Sequence, residues 1–103
     1  MNGNELARQL IKQYGTTDVE ELARRAGVTV RYQRWMPVTY GEYYPKSRTI
    51  CVNLNAPIPP QEVLAHELGH FFADVNGYKL NRTAHEQFAE AFALAFTAQI
   101  PAP

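Results

Sequence analysis

The chain has 103 residues, room for one domain and not for two cores. Its 46% hydrophobic content is that of a globular protein, and ten Lys+Arg balance ten Asp+Glu for a formal net charge of +0. That balance argues against a dedicated nucleic-acid binder and against a polybasic membrane-surface protein.

The zero hides unlike halves. Residues 1–50 hold eight Lys/Arg and five Asp/Glu; residues 51–103 hold two and five. One cysteine, Cys51, excludes an internal disulfide framework and a cysteine-built zinc site, and a reducing compartment is the expectation. The first ten residues, MNGNELARQL, show no apolar signal-peptide core. No stretch approaches the roughly 20 apolar residues of a membrane span.

In chain order, Leu6, Leu10 and Ile11 predict a first short helix that Gly15 ends. Thr17 or Asp18 can cap a second, with Glu20 and Glu21 in its first turn and Leu22, Ala23 and Ala26 on its apolar face. Gly27 stops it. The period then changes to two. Val28, Val30 and Tyr32 alternate with polar residues, as a half-buried strand requires. Tyr40 to Tyr44 reads as a second strand, Pro45-Lys46-Ser47 as a turn, and Ile50, Val52 and Leu54 as the inward positions of a third. A small, antiparallel, three-stranded sheet is expected. Cys51, on its opposite face, reads as a small buried residue.

From Pro60 the period returns to 3.6. Proline suits a first helical turn, and Leu64, Leu68, Phe71 and Val75 form one apolar stripe before the Asn76-Gly77 stop. A last helix runs from about Thr83 to about Gln99, with Phe88, Phe92 and Phe96 on one stripe and Pro101 and Pro103 beyond. All five Phe lie on these two helices, so the core is expected there. The sum is a single α+β domain over residues 1–103, with about four helices.

The third helix reads His66-Glu67-Leu68-Gly69-His70, an H-E-x-x-H motif. Residues four apart share a helix face, so both imidazoles can converge on one zinc ion. With His66 at zero, His70 lies near 40° and Glu67 near 100° around the helix. The apolar stripe falls near 140–200°, so the histidines flank the buried face. Glu67 then stands beside the metal, placed to hold a water.

A catalytic zinc needs a third protein ligand. The extended metzincin pattern fails, because Ala73 and Asn76 stand where Gly and His are needed. Three candidates remain on the last helix: His85, Glu86 and Glu90. Ala89 and Ala93 are small enough to let that helix approach, and Gly69 helps from the other side. Thr83-Ala84-His85-Glu86 also fits a capping box, which would occupy Glu86. On the residues alone, Glu86 and Glu90 remain nearly level.

Here the chain resembles the ImmA/IrrE family of metallopeptidases, in which H-E-L-G-H is followed by E-x-x-A-x-x-F-A on the next helix. The counterpart reads Glu86-Gln87-Phe88-Ala89-Glu90-Ala91-Phe92-Ala93, and Ile50 to Asn55 and Leu64-Ala65 also look like the family's preceding segments. The resemblance covers roughly residues 40–100. It implies a zincin-like fold and one Zn²⁺ per chain held by His66, His70 and Glu86. It implies Glu67 as the general base of peptide hydrolysis. It also implies a cytoplasmic protein whose substrate is a helix-turn-helix repressor of a phage, mobile element or stress regulon.

Two departures stand out. Leu94-Ala95-Phe96-Thr97 replaces a common Leu-Leu pair, and Glu90 sits where Asn or Asp is usual. No fused DNA-binding domain is read. Tyr78, Arg82 and His85 are the candidates for a second oxyanion donor, and Asp74 for orienting His70. Related zincins hold substrate as a strand added to a sheet edge, here Tyr40–Tyr44 or Arg48–Asn53. The tyrosines Tyr40, Tyr43 and Tyr44 are a binding surface or packing. The rival to an enzyme is a catalytically silent module that keeps this fold to grip a repressor; the intact Glu67 favours the enzyme.

Overall fold

The computed structural model describes residues 2–97. Helix α1 (Gly3–Tyr14) begins where the Asn2 side chain accepts the Glu5 N–H, and ends at Gly15 with φ 68°. Helix α2 (Val19–Arg25) is capped by Asp18, which accepts from Glu20 and Glu21. Both bury the leucine faces the spacing predicts.

Three strands follow: β1 (Thr29–Gln33), β2 (Gly41–Tyr44) and β3 (Thr49–Asn53). Their order is β1-β3-β2. The β2–β3 hairpin is antiparallel, as expected, but β1 pairs with β3 in parallel, Thr29 with Thr49 through Gln33 with Asn53. The sheet is therefore mixed, not antiparallel. The connection over residues 34–40 crosses the end of the sheet and leaves one strand's width open, which β3 fills. Alternation of side chains reports burial and says nothing about strand direction.

As the centre strand, β3 is buried on both faces: Ile50, Cys51, Val52 and Asn53 are all inside. Tyr32 at the other end of the alternation is 41% exposed, because edge strand β1 is covered only near its start.

Asn53 holds the crossing connection. Its amide donates to the carbonyls of Trp35 (3.1 Å) and Thr39 (3.0 Å), and its Oδ1 accepts the N–H groups of Trp35 and Asn55. The buried amide is thus satisfied on both ends.

Helix α3 (Pro60–Val75) is central and packs on α4 (Arg82–Thr97), on β2 and β3, and on α2. Its apolar face is broader than the predicted stripe. Val63, Ala65, Phe72 and Ala73 join Leu64, Leu68 and Phe71, while Val75 is half exposed at the last turn. The α3–α4 crossing is close: a Cβ on Gly69 would stand 2.7 Å from the Ala89 Cα. Phe71, Phe72, Phe92 and Phe96 continue the contact as a chain of rings 4.9–5.7 Å apart. The predicted end of α4 near Gln99, with Pro101 and Pro103, lies outside the described residues. No helix among the described residues is long and apolar enough to cross a membrane.

Candidate metal centre

The motif helix supplies His66, Glu67 and His70, and the first turns of α4 supply His85 and Glu86. Asn81 fixes that first turn, its Oδ1 accepting the Ala84 N–H at 2.8 Å. The cap is therefore Asn81, not Thr83, and the capping-box reading of Glu86 does not hold.

The freed Glu86 carboxylate turns to α3 and divides itself between the two histidines. Oε2 lies 3.1 Å from His66 Nε2 and Oε1 lies 3.1 Å from His70 Nε2. One ligand atom from each of the three residues falls within 4.8 Å of the others. Two imidazole nitrogens and a carboxylate oxygen converging this way are a donor set that fits zinc, and three protein ligands match its catalytic rather than its closed structural sites. Glu90 stands one turn farther along α4, exposed on a cleft wall and outside this group.

Burial holds His70 below the usual imidazole range, against the pull of the Glu86 carboxylate. A neutral ring keeps a lone pair to offer.

Glu67 is buried beside the triad, 9% exposed, under the start of β2. Burial, then the charges of Glu86 and Glu42, push its carboxyl up to about 7. Gly41 makes the room. A Cβ there would meet Val63 Cγ1 at 2.7 Å and Glu67 Cγ at 2.9 Å.

His85 goes to the far side of His70. The two Nδ1 atoms are 2.6 Å apart. Asp74, the candidate for orienting His70, instead accepts a hydrogen bond from Tyr43 Oη at 3.2 Å. Of the three oxyanion candidates, only His85 lines the cleft; Tyr78 packs its ring on Phe88, and Arg82 opens α4.

The triad lies at the floor of a cleft with two arms. One, of about 550 Å³, runs between Val38 to Gly41 on one wall and Glu90, Ala93 and Leu94 on the other. The second, of about 520 Å³, is lined by Glu42, Tyr43, Tyr44, Asp74 and His85. Edge strand β2 borders both. Of the two strands weighed for pairing with substrate, β3 is the sheet's centre and has no free edge; β2 has one.

The family model of the IrrE N-terminal-like domain, peptidase family M78, matches residues 23–101. The chain belongs to this family. No curated protein matches it significantly. The IrrE-like match takes in the whole sheet, α3 and all of α4, and so every residue of the candidate centre. Membership places the chain among peptidases, in accord with a His-His-Glu group able to hold a metal ion.

The roles of three residues of this IrrE-like site were not legible in spacing. Gly41 lay within the Tyr40 to Tyr44 strand with no role of its own, Asn53 lay between the inward positions Val52 and Leu54, and His85 was a candidate ligand or oxyanion donor. A glycine at the mouth of a strand facing a motif helix is the one signal that pointed to close approach.

Proposed function

We propose that this protein is a zinc-dependent endopeptidase of the cytoplasm, and that its substrate is a helix-turn-helix repressor. The observation that carries the reading is the split Glu86 carboxylate facing both motif histidines, with Glu67 buried alongside. The repressor and the compartment rest on the resemblance to ImmA/IrrE proteins.

His66, His70 and Glu86 would hold the ion. When bound, zinc supplies Lewis acidity, polarising the scissile carbonyl and easing deprotonation of water. The chain's own residues supply the rest. The free edge of β2 pairs with an extended peptide and lays it across the cleft floor. Glu67 takes a proton from the attacking water as its oxygen joins the carbonyl carbon. It delivers that proton to the nitrogen as the C–N bond breaks, leaving a carboxylic acid and an amine, and the acid then gives its proton to the amine or to water. The burial that raises the Glu67 carboxyl would oppose the charge of a bound ion, and so keep the group basic enough to take a proton. Gly41 lets β2 lie close over the Glu67 stem, which holds the carboxyl in place.

The test is zinc content and cleavage together. Purified without chelator, the protein should carry about one zinc per chain. Incubated with repressors encoded beside its gene, it should cut one of them, and chelator should stop it. Glu67→Gln should keep the zinc and lose roughly 10²–10⁴-fold in rate. Glu86→Ala should lose zinc far more than Glu90→Ala. Metal-free protein, or cleavage surviving Glu67→Gln, would overturn the reading.

A further inference from the structure

His70 has two ring nitrogens, and the triad uses one. Nε2 faces Glu86; Nδ1 faces His85 Nδ1 at 2.6 Å. The two ring planes are 16° apart and the centroids 4.7 Å apart. That separation nearly equals the nitrogen–nitrogen distance plus the two centre-to-nitrogen radii. The rings therefore meet edge to edge, nitrogen toward nitrogen, and do not lie face to face. Two imidazole nitrogens this close share a single proton, since two protons would clash and none would leave two lone pairs opposed.

We infer that His85 is a positioning residue for the metal centre: it accepts the Nδ1–H of His70 and so fixes His70 in the tautomer whose Nε2 offers a lone pair to the ion. A histidine ligand usually gives its other N–H to a carboxylate, carbonyl or water. Here Asp74 is engaged by Tyr43, and the neighbouring imidazole takes the place. His85 is itself fixed. Its backbone N–H donates to the Asn81 carbonyl at 2.8 Å, within the turn that Asn81 also caps. Because His85 and Glu86 are consecutive, one turn of α4 grips His70 from both sides. Glu86 meets the nitrogen on the metal side, and His85 meets the nitrogen behind.

This inference rests on the zinc-site reading above, and the experiment separates the two. Zinc affinity is measured by competition with a chromophoric chelator for wild type, His85→Phe and His85→Gln. Circular dichroism confirms each fold, and ¹⁵N spectra report the His70 ring. Phe keeps an aromatic ring without an acceptor; Gln supplies an acceptor oxygen. Wild type should bind one zinc with the His70 proton on Nδ1. His85→Phe should bind about 10–100-fold more weakly, and His85→Gln should recover most of the loss. Folded His85→Phe with wild-type zinc affinity, or a His70 proton on Nε2 in the zinc form, would overturn the role of His85. Wild type that binds no zinc would overturn the site itself.

Discussion

The two sides of α3 follow opposite rules. Toward α4 and the inner sheet it presents Leu64, Leu68, Phe71 and Phe72, closed and dry. Toward the cleft it presents His66, Glu67 and His70, with His66 Nε2 and His70 Nε2 both turned to Glu86. The first side depends on shape: Gly69 lies against Ala89, and rings lie against rings. The second depends on charge: a carboxylate set between two imidazoles, and another buried beside it. One helix serves both because residues 66, 67 and 70 and residues 64, 68, 71 and 72 occupy different arcs of a 3.6-residue period. The dry side can therefore be damaged without touching the chemistry, provided the crossing of α3 and α4 survives.

That separation can be tested from the core outward. Phe92 is fully buried between Phe72 and Phe96. Phe92→Ala should cost about 3–5 kcal/mol in denaturant unfolding. Below its melting point it should still bind zinc with near-native affinity. Loss of zinc in the folded variant would show that the two sides are coupled after all.

Gly69→Ala sits on the border. Its Cβ meets the Ala89 backbone, which cannot rotate away, so α4 must shift. A destabilisation of about 3 kcal/mol is expected, and here zinc affinity should fall too, because Glu86 rides on the displaced helix. An unchanged affinity would mean that the triad absorbs the shift.

How legible this was in the sequence follows from the same division. The four helices, the H-E-x-x-H face and the close α3–α4 approach were readable because helical periodicity places residues on a face without any tertiary knowledge. The choice of Glu86 over Glu90 was not settled by spacing. Both point the same way from α4, and the resemblance, not the period, favoured Glu86. What distinguishes them in space is depth along the crossing, set by Asn81 starting the helix where it does. The parallel β1–β3 pair was unreadable because it depends on a connection swinging past the sheet's end. His85 was noticed and given other roles, since nothing in a sequence says which side of a ring a neighbour will approach.

Asn53 offers the subtlest break, because it belongs to neither side of α3 and yet builds the cleft. It is 1% exposed and ties the Trp35 and Thr39 carbonyls and the Trp35 N–H to the end of β3. Val38, Thr39 and Tyr40, which wall one cleft arm, hang from those bonds. Asn53→Ala removes them and leaves β3 its ladder. Most of the orphaned groups lie in an exposed connection and can turn to water, so the cost should be about 1–2 kcal/mol rather than that of a sealed polar group. Zinc affinity should stay at the wild-type value. The wall should slacken, raising KM for the peptide substrate severalfold while kcat falls little. That pattern marks lost ground-state binding rather than lost chemistry. A fall in kcat with KM unchanged would mean instead that the connection over residues 34–40 reaches the reacting bond, and the cleft wall would then have to be counted with the triad.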